Sequence, residues 1–201
     1  MTKIIGITGR SGAGKGVACE IFEKYGIPAI DTDAVYHEIL SAKGGCTDEL
    51  ATTFGKEILN ENGLVERKRL AERVFGKENT PALLHSLNRI THKYIMANTW
   101  DIVRVHRAHN ARAVLIDAPQ LFEAGLEKEV DLTLGIIAPD ALCTERIMAR
   151  DGISRENAAK RLAAQHDNDY FRAHCTAVIE NAGTEQELEA KICQFLIDFG
   201  V

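Results

Sequence analysis

The chain has 201 residues, 45% of them hydrophobic and 26% charged, which allows one α/β domain of respectable core with an inserted subdomain and leaves no room for two full domains. A formal net charge of -5 disfavours a broad nucleic-acid face, because backbone phosphates demand a concentrated excess of Lys and Arg; any phosphate site has to be local. Five widely spaced cysteines, Cys19, Cys46, Cys143, Cys175 and Cys193, form no C-x-x-C pair, which argues against a disulfide framework or a zinc site.

In chain order, the sequence enters a strand at Ile4–Thr8 with no apolar leader and no run long enough to span a membrane, so a cytoplasmic protein with no membrane partner is expected. Gly9-Arg10-Ser11-Gly12-Ala13-Gly14-Lys15-Gly16 follows, and a helical pattern resumes over Val17–Lys24. A Gly-rich turn between strand and helix curls backbone N–H groups around a phosphate, aims the helix N-terminus at it and lets Lys15 bridge the β- and γ-phosphates. ATP is therefore the expected cofactor, held by Ser11, Gly12, Ala13, Gly14, Lys15, Gly16 and Val17. The pattern wants Ser or Thr after the lysine to hold Mg²⁺, and Gly16 has no hydroxyl; water, Thr8, Ser11 or a carboxylate has to replace it.

A second strand, Ile27–Asp31, ends in Asp31-Thr32-Asp33. Alternation points the two acids apart, so one caps the next helix and the other, Asp33, is left to accept or orient the proton of an attacking hydroxyl. From residue 34 to 110 the pattern is helical, with turns at Gly44-Gly45 and Asn62-Gly63 and a helix beginning at Pro81 that carries Leu83, Leu84, Leu87, Ile90 and Ile95. This interval reads as an inserted subdomain, while 1–33 and 111–201 form the core.

A third strand, Ala113–Asp117, presents an acid at its carboxyl end in the manner of a metal-binding Walker B residue, so Asp117 is the expected metal ligand. Strand Leu132–Ile137 precedes Arg146 and Arg150, four apart and hence on one helix face; Arg155 and Arg161 follow. The stretch 140–170 reads as a helical lid whose guanidinium groups meet phosphate oxygens. Strand Ala177–Glu180 and a helix carrying Leu188, Ile192, Phe195, Leu196 and Phe199 complete the chain. Short strands apolar on both faces and separated by helices predict an α/β fold, a P-loop kinase with a five-stranded parallel sheet.

The ordered set GRSGAGKG, DTD, RITH, DAPQLFE, ERIMARDGISRENAAKRLAAQ and VIENAG resembles the dephospho-coenzyme A kinase family along nearly the whole chain. That resemblance implies transfer of the ATP γ-phosphoryl group to the ribose 3′-hydroxyl of dephospho-CoA. It makes Asp33, Lys15 and Arg146 catalytic, with Asp33 as the base. It also places Arg150 and Asn181 with ATP and His92 and Glu123 with the acceptor, and makes 34–110 the acceptor-binding insertion. The chain departs from the family at Gly16, at Gln120 where leucine is usual, and at Lys93 where proline follows the histidine. Two other readings share the P-loop: a kinase for another small alcohol or nucleotide, and a nucleotide-binding protein with little catalysis, to which Gly16 lends weight.

Overall fold

The computed structural model describes residues 2–76 and 80–201. The chain divides into two compact units, Met1–Ile30 with Val105–Val201, and Asp31–Arg104. In the first, β1 (Lys3–Gly9), β3 (Ala113–Asp117), β4 (Leu132–Ile137) and β5 (Ala177–Glu180) are joined by parallel ladders, and with β2 (Ala29–Asp31) they form one sheet of order β2-β3-β1-β4-β5. Strand β1 sits at the centre because Ile4, Ile5 and Ile7 are all buried, and only a strand covered on both faces can be apolar throughout. The order reverses direction at β1, with β3 on one side and β4 on the other. Ligands of open α/β sheets bind at such a switch point, beyond the carboxyl ends of the strands.

Helix α1 (Lys15–Lys24) covers one face with Ala18, Cys19, Ile21 and Phe22, and α9 (Glu185–Asp198) packs beside it through Leu188, Ile192, Phe195 and Leu196. Their contact includes an edge-to-face pair of Phe22 and Phe195, centroids 6.0 Å apart. Helix α9 starts where Thr184 and Glu187 satisfy each other's backbone N–H groups, a capping box worth about 1 kcal/mol. Helices α6 (Asp140–Asp151), α7 (Arg155–Ala163) and α8 (Asn168–His174) follow β4; Ser154 caps α7 and Asp167 caps α8.

The second unit holds α2 (Thr32–Leu40), α3 (Gly45–Phe54), α4 (Arg67–Phe75) and most of α5 (Pro81–Ala108). Its core is Leu40, Leu50, Phe54, Ile58, Leu70, Val74, Leu87 and Ile90. The helix starting at Pro81 presents Leu87 and Ile90 to this core, whereas Leu84, expected inside from its spacing, is 38% exposed. A 28-residue helix turns more than one stripe outward, and Leu84 falls on the outer one.

Candidate active site

The phosphate loop lies where strand geometry predicts, leaving β1 at Gly9 and entering α1 at Lys15. Gly12 and Gly14 have φ of 78° and 93°, the left-handed region that costs other residues about 1–2 kcal/mol. Space reinforces the restriction: a Cβ at Gly12 would press on the Cys143 backbone, and one at Gly14 would run into the Asn181 amide. Helix α1 starts with no acidic residue in its first turn and no side-chain cap, so its N–H groups and positive dipole end are left for an anion.

Three side chains from distant segments hold the loop in shape. Asn181, buried just after β5, donates from Nδ2 to the Ala13 carbonyl at 2.9 Å. Arg146 on α6 donates from one guanidinium nitrogen towards the carbonyls of Gly12 at 3.3 Å, Ala13 at 3.4 Å and Asn181 at 3.2 Å. Gln165, just beyond α7, accepts the Ser11 N–H at 2.9 Å. Arg150 donates to Ser11 Oγ at 3.2 Å and pairs with Asp151, which also pairs with Arg161. The hydrogen bond from Arg150 holds the Asp151 carboxyl below its usual range. Arg155 pairs with Glu145, at 4.0 Å.

Lys15 forms an ion pair with Asp117 at the end of β3, both side chains mostly buried. Register explains the meeting, since Asp117 lies opposite Ile7 on β1, just short of the loop. The Cys19 thiol sits 3.7 Å from the same carboxylate, and burial, with Asp117 second, pushes it up to about 12. Gly16 and Val17 are exposed on the first turn of α1, and nothing lies within 4 Å of a Cβ built on Gly16. Thr8 Oγ1 is turned to the Pro119 carbonyl at 3.3 Å. A divalent cation fits this donor set through one carboxylate, Asp117, with room for water beside Gly16, because Mg²⁺ commonly takes one or two protein carboxylates and keeps several waters.

In the other unit Asp31 is the capping acid: its Oδ1 accepts from the N–H groups of Asp33 at 2.8 Å and Ala34 at 3.2 Å, leaving the Asp33 carboxylate exposed on the first turn of α2. His92 lies half-buried on α5, and burial lowers its pKa below the usual histidine range. Beside it Lys93 pairs with Glu49 at 2.8 Å.

The sequence reading missed Arg10. Its guanidinium is almost fully buried, pairs with Asp140 at the start of α6 and donates to the Leu162 carbonyl at 3.1 Å. A cation inside the glycine pattern was the available signal; a partner 130 residues away was not. Also missed was a cavity of about 390 Å³ between the start of the loop and the turn after β3, bounded by Gly9, Arg10, Gln120, Glu123, Gln165 and His166. The Glu123 carboxylate there lies 3.4 Å from His166.

Residues 3–187 match the family model described as dephospho-CoA kinase. The chain belongs to that family. It is 32% identical to the dephospho-CoA kinase of Lactobacillus johnsonii over 200 residues, covering all of both chains. It is 35% identical to that of Dehalococcoides mccartyi over 188 residues, covering 94% of this chain and 93% of the other. Among solved structures, a Thermus thermophilus protein superposes with a TM-score of 0.81 at 31% identity, covering 98% of this chain and 97% of its own. The shikimate kinase of Acinetobacter baumannii, at 16% identity, covers 98% of this chain and 94% of its own with a TM-score of 0.54, and so shares the P-loop kinase fold alone. Among the described residues no helix is long and apolar enough to cross a membrane.

Proposed function

We propose that the chain transfers the γ-phosphoryl group of ATP to the ribose 3′-hydroxyl of dephospho-CoA, giving CoA and ADP. The observation that carries this beyond family membership is the Lys15–Asp117 pair set under a loop braced by Arg146 and Asn181. A cation and a carboxylate beyond the carboxyl ends of the strands support transfer of a nucleotide's phosphoryl group there.

In this reading Lys15 leaves Asp117 for the β- and γ-phosphate oxygens, and the loop N–H groups of residues 12 to 16 take the β-phosphate. Arg146 keeps the Gly12 and Ala13 carbonyls turned away, so those peptides present N–H to the phosphate. Arg150 and Ser11 face the transferring group as the segment 140–170 closes, and charge spreading over its oxygens is met by guanidinium already in place. Asp33 accepts the proton of the 3′-hydroxyl as its oxygen bonds to γ-phosphorus and the bond to the ADP oxygen breaks. His92 and Glu123 hold the acceptor. Asp117 would hold Mg²⁺, which when bound neutralises phosphate charge. Most of the rate comes from positioning and charge stabilisation.

The test is a coupled ADP-release assay with ATP, Mg²⁺ and dephospho-CoA, each omitted in turn, with CoA identified by mass. Acceptor-dependent CoA is expected, and Asp33→Asn should lower the rate at least a hundredfold, in line with loss of a general base. ATP consumption without CoA, or turnover only with another alcohol, defeats the assignment.

A further inference from the structure

We propose that the cavity beside the start of the phosphate loop takes the purine ring of the acceptor, stacked on His166; this rests on the dephospho-CoA kinase reading. The ring of His166 lies flat on Tyr170, with centroids 3.6 Å apart and planes 8° apart. Tyr170 lies in turn on His174, at 4.0 Å and 18°. Spacing of four residues produces this column: 166, 170 and 174 fall on one face of the turn entering α8 and of α8 itself. Phe122, from the turn after β3, sets its ring against Tyr170 edge-to-face, centroids 5.5 Å apart. The column is thus braced from a second segment, and a fourth ring joining it orders little that is still free.

His166 is the end of the column that borders the cavity. Its side chain remains 43% exposed, and Glu123, 3.4 Å away, fixes its orientation. A volume of about 390 Å³ falls within the range of small-molecule pockets. The polar groups around it suit a base better than an anion. Glu123 repels phosphate but accepts from an exocyclic amine, and Gln165, whose oxygen already serves Ser11, has its amide nitrogen left to donate to a ring nitrogen. Arg10, the cation on the wall, is committed to Asp140 and Leu162.

The geometry also selects the acceptor's base over that of ATP. In dephospho-CoA the adenine is bonded to the same ribose that carries the reacting hydroxyl, so it has to lie close to the loop. The cavity meets the loop at Thr8, Gly9 and Arg10. Asn181 and Arg146 hold the loop's other end, at Gly12 and Ala13. The departure Gln120 lines the same cavity.

The test measures KM for dephospho-CoA and for ATP in the intact enzyme, in His166→Ala and in His166→Phe, with thermal melts to confirm folding. Stacking on an aromatic ring predicts that His166→Ala raises the dephospho-CoA KM about tenfold and that His166→Phe stays within about threefold of the parent. The ATP KM should not move. An unchanged dephospho-CoA KM in His166→Ala, or a rise in the ATP KM instead, overturns the base site. Failure of His166→Phe to rescue overturns it as well. A parent enzyme that does not use dephospho-CoA defeats the functional assignment itself, which the variants leave standing in every other outcome.

Discussion

Removing the exposed end of the Arg10–Asp140 pair should cost more stability than removing the buried end. The Arg10 side chain is 5% exposed and that of Asp140 66%. In Arg10→Met both partners keep an alternative, since Asp140 rehydrates and the Leu162 carbonyl retains the Gln165 N–H at 3.1 Å. Methionine also refills most of the apolar stem. What is lost is two hydrogen bonds donated by the guanidinium, to a carboxylate and to a carbonyl, offset by the guanidinium's own desolvation, leaving about 1 kcal/mol. Asp140→Ala instead strands a buried cation whose Nε already has no partner among the described residues. Breaking a fully buried pair this way costs about 3–5 kcal/mol; solvent at Asp140 reduces that to about 2–3. Loss of an acid from the first turn of α6 adds about 0.5. The double variant should therefore be more stable than Asp140→Ala alone, by about 1–2 kcal/mol, because it removes the stranded charge. Urea denaturation of the four proteins followed by far-UV circular dichroism measures the cycle. Additive losses, or Asp140→Ala milder than Arg10→Met, would refute the reasoning.

Gly14→Ala should cost about 1–2 kcal/mol through its left-handed backbone. It should also raise the ATP KM roughly tenfold by displacing Asn181 from Ala13, as steady-state kinetics and melts will show. Gly16→Ser meets no neighbour, so stability should stay within about 0.5 kcal/mol; the added hydroxyl should lower the Mg²⁺ concentration for half-maximal rate, read by metal titration. With its thiol pushed up to about 12, Cys19 should resist iodoacetamide at pH 8 until the chain is unfolded, as peptide mass mapping would report. The hydrogen bond from Lys93 holds the Glu49 carboxyl below the ordinary glutamate range. Its contribution is therefore present above the unfolded pKa and lost as pH falls through the lower, folded value. Glu49→Gln should flatten that acid limb in melts taken across the carboxylate range.

The sheet was legible because its strands are short apolar runs, and no helical stripe can be built from Ile4-Ile5 or Val114-Leu115-Ile116. Their ends were legible where chemistry marks them, at Gly9 and at Asp117. Strand β2 begins at Ala29, two residues later than its apolar run suggested: Ile27 is buried in the core without joining the ladder, and Pro28 has no N–H to give one. Apolar periodicity showed where α5 starts; it did not show that Leu84 faces outward, because facing depends on what else packs there. At the site, the glycine pattern and Lys15 point to phosphate by themselves. That Arg146 and Asn181 meet at the loop rests on residues 35 apart in sequence, a distance no local pattern spans. The column at His166 was present as a spacing of four and could have been found by looking for rings at that interval.

The Lys15–Asp117 pair has a bearing on what the loop rejects. Each charge is already answered by the other, so an incoming ligand has to compensate both. Inorganic phosphate or sulfate would satisfy Lys15 while abandoning Asp117 in a largely enclosed place, and repulsion between that carboxylate and the newcomer would add to the penalty. A nucleotide that arrives with its own divalent cation offers a replacement to each residue at once. Under the proposed function the pair thus weighs against an anion that arrives alone and favours a nucleotide that brings its own divalent cation.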